Sequence, residues 1–264
     1  MKGCKISIMD ISVVIIAKNE EKMIADCCRS VAGWADEVIL IDGESEDNTI
    51  KVTEQICKEN GQTLHVYKNN FDDFSKQRWY GCQKAKGKWI LYLDADERVT
   101  PELKQEILAL IKSKTKPTHS AYFIKRENYY FGQKWSKGDR IQRLFLREQL
   151  KGWQGKIHET PIVKGTIGEL ENFITHYTHR DLITMLEKTN KWSETEADLL
   201  YKANHPKMGV LRFMKIIARA FLLSYIKEEG WRNGAHGLME SMFQTYSAFI
   251  TYAKLYEKQI KNTS

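Results

Sequence analysis

The chain has 264 residues, enough to bury one large core or a core with an appendage. Its 42% hydrophobic and 28% charged content matches globular proteins and excludes a disordered or low-complexity chain. A formal net charge of +7 favours anionic partners such as nucleotides, acidic glycolipids or a membrane surface; with no recognisable binding module or dense Lys/Arg tract, nucleic acid is excluded as the expected partner.

Residues 1–17 loosely imitate a signal peptide, with Lys2 and Lys5 ahead of an apolar stretch. Asp10 interrupts that stretch, and Lys18-Asn19-Glu20-Glu21 stands where a small-residue cleavage site belongs, so 11–17 is read as a first strand and the protein is expected in the cytoplasm. A helix over 20–31 follows, then a strand over 37–42 and a helix over 46–60 stopped by Gly61. A short strand over 64–67, a helix over 75–85 and an apolar strand over 89–93 come next. Thr100 then caps a helix that has Pro101 at its first position. Strands alternating with helices at this spacing predict an α/β protein with a doubly wound, mostly parallel sheet. Over 120–174 the pattern changes to short mixed segments, and after His176 three helices are expected, over 181–203, 207–229 and 233–260. The expected division is a sheet domain over 1–175 and a helical C-terminal region over 176–264. The five cysteines, Cys4, Cys27, Cys28, Cys57 and Cys82, are odd in number and lack metal or redox spacing, so reduced, mostly buried thiols are expected.

Asp94-Ala95-Asp96 directly follows the apolar strand. Two carboxylates at the carboxyl end of a parallel strand suit an oxygen-loving divalent cation that holds a diphosphate, whose negative charge the carboxylates alone would repel. The bland alternative is a solvated acidic turn. Against it, Asn19 and Asp42 also fall at predicted strand ends, where ligands bind in such sheets.

Three ordered stretches, 13–21, 41–49 and 89–97, resemble family-two glycosyltransferases of the GT-A fold. Arg143-Leu144-Phe145 and Ile157-His158-Glu159 extend the likeness to a bacterial subgroup, and the tail over 218–255 resembles enzymes that add glucose to inner-core heptose of lipopolysaccharide. The resemblance implies transfer of a hexose from a UDP-sugar, with inversion and with Mn²⁺ or Mg²⁺, onto a lipid-linked saccharide. It implies that the turn Ala17-Lys18-Asn19-Glu20 and Asp42 hold the nucleoside, Asp42 reading the uracil N–H. Arg78 would face the nucleotide or its diphosphate, Asp94 (next to Ala95) the ribose or metal, and Asp96 would be the main metal ligand with His158 as a further one. Asp139 or Glu159 would be the general base, Asp139 having the first claim and Glu159 being its rival. Arg143 and Arg147 would neutralise diphosphate charge, the alternative being surface salt bridges. The chain departs from the family pattern at Arg78-Trp79, where Arg-Asn is expected, and at Asp42-Gly43-Glu44-Ser45, where Asp-Ser-Gly-Ser is usual.

In the C-terminal region Arg212, Lys215 and Arg219 form a stripe on an otherwise apolar helix, too charged to span a membrane but suited to lie on an anionic one. Ordinary packing and a homodimer contact are the alternatives. Among other activities, a nucleotidyltransferase would place a Gly-rich loop after the first strand, where this chain has Ala17-Lys18-Asn19-Glu20. Capsular glycan, polyprenyl phosphate or peptide remain alternative acceptors, and a degenerate, non-enzymatic scaffold is the rival outside enzymes. His176-x-x-His179 lacks the further ligands that a zinc site needs.

Overall fold

β1 (Ile11–Ala17), aliphatic but for Ser12, and β2 (Glu37–Asp42), aliphatic between its terminal acids, are buried along their whole length, as strands covered on both faces must be. The computed structural model describes residues 9–113, 115, 117–156 and 159–261. With β3 (Leu64–Lys68) and β4 (Trp89–Asp94) these strands form a parallel array in the order β3-β2-β1-β4. Alternate residues of β1 feed two cores: Val13 and Ile15 join Leu40, Leu91 and Leu103, while Val14 and Ile16 join Ile39, Tyr92 and Phe145.

Helices α1 (Ile24–Val31), α2 (Thr49–Glu59), α3 (Phe74–Lys84) and α4 (Pro101–Ile111) connect these strands and follow the last of them. The Thr100 side chain accepts from Leu103 N at 3.2 Å, and the Asp73 side chain caps α3 by accepting from Lys76 N at 2.8 Å. Two helices start later than the sequence pattern predicts, α1 at Ile24 and α2 at Thr49. The polar residues ahead of them are held in loop hydrogen bonds, which compete with the helical ladder. Gly81 lets α3 lie against the sheet, since a Cβ there would stand 2.4 Å from Val14 Cγ1.

The stretch expected as short mixed segments contains long strands instead. These are β6 (Ala121–Tyr130), β8 (Asp139–Leu146) and β11 (Ile167–Thr178), joined by the short β5 (Glu97–Val99) and β7 (Gln133–Lys134). The sheet continues past β4 as β8-β6-β11-β5, with β8 antiparallel to both neighbours and β5 antiparallel to β11. Half-buried and charged positions interrupt the apolar alternation in β6 and β11, which explains why their length is not legible from periodicity. β9 (Leu150–Gln154) and β10 (Thr160–Val163) pair as a separate small ribbon.

The contacts divide the chain into two compact units, one of Met1–Glu127 with Asp139–His176 and one of Asn128–Gly138 with Tyr177–Ser264. The second unit takes in the turn between β6 and β7, where Phe131 and Gly132 both have positive φ, the geometry of a tight hairpin. Its helices are α5 (Leu182–Lys202), α6 (Val210–Leu222), which runs on through a π turn over Leu223–Lys227, and α7 (Gly234–Lys261). Ala197, Met208 and Leu255 form its small core, with Phe213, Ile216 and Tyr252 packed against them. Gly237 permits a close backbone crossing, because a Cβ there would lie 1.8 Å from Gly230 O. The four described cysteines, Cys27, Cys28, Cys57 and Cys82, are buried free thiols, and no helix among the described residues is long and apolar enough to cross a membrane.

Candidate active site

Register decides which residues meet. Ala17 lies opposite Asp42 and Ile16 opposite Asp94, so the carboxyl ends of β1, β2 and β4 form one rim of the sheet. The loops leaving β1 and β2 are laced together along this rim. Asn19 adopts φ +55°, a left-handed conformation that asparagine tolerates; its N–H donates to Ser45 Oγ at 2.9 Å and its Oδ1 accepts from Glu46 N at 2.8 Å. Glu20 N donates to Thr49 Oγ1 at 2.8 Å, and Glu21 N to Asp47 Oδ2 at 3.0 Å. Asp42 is fully buried: its Oδ2 accepts from Ser45 N at 3.0 Å, while Oδ1 has no partner among the described residues. An incoming N–H donor would satisfy that oxygen.

The departure in the second loop has a backbone consequence. Glu44 stands where the family pattern has glycine, and it carries φ +63°. Glycine meets that geometry without the penalty of a Cβ, a cost of about 1–2 kcal/mol for an ordinary residue. Gly43, in contrast, packs closely, with a Cβ position 3.3 Å from both Lys18 Cβ and Phe71 Cβ.

Beneath the rim lies a network of buried charges. Arg143, on β8 and 1% exposed, donates through Nη2 to Asp94 Oδ2 and, at 2.8 Å, to Glu97 Oε1. Arg78, on α3 and 2% exposed, donates through Nη2 to Asp94 Oδ1 at 3.0 Å and through Nε to Glu159 Oε1 at 3.0 Å. Its guanidinium carbon stands 5.4 Å from the ring centroid of Trp153 and 5.8 Å from that of Tyr92. Glu97 is fully buried; its Oε2 accepts from Asp94 N at 2.9 Å and its Oε1 also meets Arg126 Nη1 at 3.4 Å. Arg126 in turn holds both oxygens of Asp139, at 2.8 and 2.6 Å. One chain of ion pairs therefore runs Glu159–Arg78–Asp94–Arg143–Glu97–Arg126–Asp139.

Burial alone would raise the Asp94 carboxyl, but Arg143 and then Arg78 outweigh it and hold the group well below the usual carboxylate range. Because the folded value lies below the ~3.9 of a free aspartate, this stabilisation is complete above about pH 4. It is lost as the pH falls toward and through the folded value. Urea unfolding followed from neutral pH into acid is expected to show the parent losing stability below about pH 4 more steeply than Asp94→Asn. Equal acid limbs would remove Asp94 as a source of that stability.

Asp96 differs from Asp94. Its carboxylate stands 3.7 Å from His176 Nε2, with both side chains less than a fifth exposed. A carboxylate beside an imidazole is a donor set that Mn²⁺ accepts readily and Mg²⁺ accepts through oxygen. Both oxygens of Asp94, by contrast, accept from arginines, which suits it to anchor Arg78 and Arg143 rather than to ligate a cation. Among the described residues no group of three His, Cys, Asp or Glu is arranged around a common ion position, and His158 lies outside the described residues. His176 and His179, too poor in further ligands for a zinc site, go separate ways: His176 stands beside Asp96, and His179 meets Glu240 at 2.8 Å within the second unit.

The structure thus brings Ala17, Asn19, Glu20, Asp42, Asp94, Ala95 and Asp96 to one rim, with Arg78, Arg143, Glu159 and Asp139 tied to them by ion pairs. It does not bring Arg147 there. β8 runs antiparallel to β4, pairing Leu146 with Trp89, so Arg147 falls at the opposite end and donates to Gly87 O at 2.9 Å. Sequence reasoning missed Glu97 and Arg126, the two links that connect Asp139 to the rest. Glu97 was within reach, being the acid that follows Asp94-Ala95-Asp96 directly, but Arg126 carries no local signal, and only the β6–β8 register places it opposite Asp139.

Residues 12–163, more than half the chain, match the family model described as Glycosyl transferase family 2. Over 257 residues the chain is 24% identical to the lipopolysaccharide core biosynthesis glycosyltransferase LpsC of Rhizobium meliloti, covering 95% of this chain and 93% of that protein. It is 27% identical over 271 residues to an uncharacterised glycosyltransferase of Rickettsia typhi, covering 96% and 88%. Among solved structures, the mannosyltransferase PcManGT of Pyrobaculum calidifontis, in complex with GDP-Man and Mn²⁺, superposes with a TM-score of 0.52 at 13% identity, over 97% of this chain and 87% of that one. S. aureus TarS in complex with UDP-GlcNAc gives 0.51 at 13% identity, over 96% and 92%. These likenesses are to the fold.

Proposed function

The chain belongs to glycosyltransferase family 2, and from that premise we propose that it moves glucose from UDP-glucose, with inversion, onto a heptose of the lipopolysaccharide inner core. The observation that carries this reading is the single rim on which Asp42, Asn19, Asp94 and Asp96 converge at the carboxyl ends of parallel strands. The near full-length similarity to LpsC supports a lipid-linked core saccharide as the acceptor. Such an acceptor would bring the protein to the inner face of the cytoplasmic membrane as a peripheral protein.

In this reading the laced loops after β1 and β2 seat the nucleoside, and Asp42 Oδ1 accepts the uracil N–H. Asp96 would hold Mn²⁺ or Mg²⁺, with His158 as the proposed second ligand; the ion, when bound, neutralises charge on the leaving diphosphate. Arg78 and Arg143 fix Asp94 and, through it, the end of β4 from which Asp96 projects. The acceptor hydroxyl attacks the anomeric carbon as a carboxylate takes its proton. Glu159 has the better claim to that role, since only its Oε1 is bonded among the described residues, whereas both oxygens of Asp139 are held by Arg126. Glu159→Gln and Asp139→Asn separate the two: the variant that loses turnover while keeping donor affinity marks the base.

Calorimetric titration of UDP-glucose, UDP-galactose and UDP-N-acetylglucosamine, each with Mn²⁺ and with chelator, tests the donor. Binding of UDP-glucose that disappears with chelator is the expected result. Preference for another donor would reassign the sugar, and no binding of any donor by folded protein would overturn the nucleotide site.

A further inference from the structure

Helix α6 has two apolar faces. Phe213 and Ile216 turn toward α7, where Phe213 meets Phe249 and Tyr256 at ring-centroid distances of 6.1 and 6.0 Å. Among the described residues nothing covers the opposite face. Leu211 is 79% exposed, Met214 62%, Leu222 56% and Ile226, in the π turn, 54%. At 100° per residue these four and Ala218 fall on one stripe, and Lys215, Arg219 and Arg212 follow along one edge of it.

The charge around this stripe has one sign. From Leu199 to Lys227 the sequence contains no Asp or Glu, while Lys202, Lys207, Arg212, Lys215, Arg219 and Lys227 are all basic. Arg212, Lys215 and Arg219 are exposed and make no ion pair among the described residues. A protein partner would have to supply acids to match them. A second copy of this chain would instead set equal basic edges near one another across a two-fold axis, which costs energy. A bilayer containing anionic phospholipid matches both features at once: the apolar stripe enters the boundary between headgroups and acyl chains, and the basic edge meets the phosphates. The helix is too short and too charged to cross the membrane, and it would lie in the interface.

We propose that the exposed face of α6, from Leu211 to Ile226, is a membrane-docking surface selective for anionic phospholipid. This deepens the peripheral placement above, resting on that reading only for which membrane the cell supplies. A docked helix would hold the enzyme at the headgroup level, where a lipid-linked saccharide presents its sugars.

Co-sedimentation of the full chain with vesicles of phosphatidylcholine alone, or of phosphatidylcholine with 30% phosphatidylglycerol (on the order of a bacterial anionic fraction), is the test. The parent is expected to bind the anionic vesicles, to release them as salt rises, and to leave the neutral ones largely in solution. Lys215→Glu with Arg219→Glu is expected to weaken binding by at least about 20-fold, at roughly 5-fold per basic residue. Leu211→Gln with Leu222→Gln should weaken it by at least about 10-fold with every charge retained. All four positions are exposed, so circular dichroism and UDP-sugar affinity should match the parent.

Equal vesicle binding by parent and both variants, or no binding by the parent, overturns the proposal. So does a parent dimer that the leucine variant makes monomeric, because the face would then belong to a second copy. Loss of UDP-glucose binding with vesicle binding intact would count against the donor reading alone.

Discussion

Arg143→Met is expected to lose about 3–5 kcal/mol of unfolding free energy, the range for removing one partner of a buried ion pair. The reason is the company that Arg143 keeps. Its Nη2 serves Asp94 and the fully buried Glu97 together, and methionine would fill the space while leaving both carboxylates without that cation. Arg126 would be left as the cation beside Glu97, at 3.4 Å, and it already holds both oxygens of Asp139. Chemical denaturation at neutral pH measures the loss. A second signature separates lost charge from lost packing: protonated carboxyls need no cation, so the deficit of Arg143→Met should shrink as the pH falls below about 4. A deficit independent of pH would mean that packing, not charge, is what Arg143 contributes. A loss below about 1 kcal/mol would place the pair in the class of exposed salt bridges and overturn the reading of a buried network.

Asp96→Ala is expected to remove metal-dependent donor binding and to lower turnover by at least about 100-fold, while leaving stability within about 1 kcal/mol of the parent. The two halves of this expectation come from one contrast. Asp94 is built into the buried network by two arginines, whereas Asp96 stands in the turn after β4, 3.7 Å from His176. Removing Asp96 therefore costs chemistry more than structure, and removing a partner of Asp94 costs structure. Calorimetry of UDP-glucose with Mn²⁺, run beside a thermal melt, reads both. A folded Asp96→Ala protein with unchanged Mn²⁺-dependent affinity would sink the assignment of Asp96 as the ligand. A protein that fails to fold would be followed by Asp96→Asn, which keeps the shape and a weak acceptor. Retention of full metal dependence in that variant would have the same consequence.

The same contrast changes how the Asp94-Ala95-Asp96 motif is understood in this chain. In the sequence its carboxylates are equivalent, one residue apart after an apolar strand. A continuing strand would put residues two apart on one face, but Ala95-Asp96 is a turn between β4 and β5, so Asp96 leaves the pleat that holds Asp94. Arg78 arrives from a helix 16 positions upstream and Arg143 from a strand 49 positions downstream. Neither approach is encoded near the motif. The resemblance implies a diphosphate beside Arg143, whereas its guanidinium, beneath the rim, donates to carboxylates of the protein itself.

The sequence by itself determined the parallel half of the sheet, the helices that connect it, the Thr100 cap and the rim residues Asn19, Asp42, Asp94 and Asp96. It could do so because those features are local: a continuous buried strand needs an unbroken apolar run, a cap needs one hydroxyl at one position, and the strand's carboxyl end is the next residue along. It also determined the all-basic stretch around α6. Only the tertiary structure decided the antiparallel half, the chain of ion pairs from Glu159 to Asp139, the removal of Arg147 to the far end of the sheet and the pairing of Asp96 with His176. Those depend on register between strands far apart in sequence, and a shift of one residue would reverse which face every side chain meets. The two apolar faces of α6 show the limit most directly. Composition places large apolar residues on both, and only packing against α7 determines which face is buried and which is left for a partner.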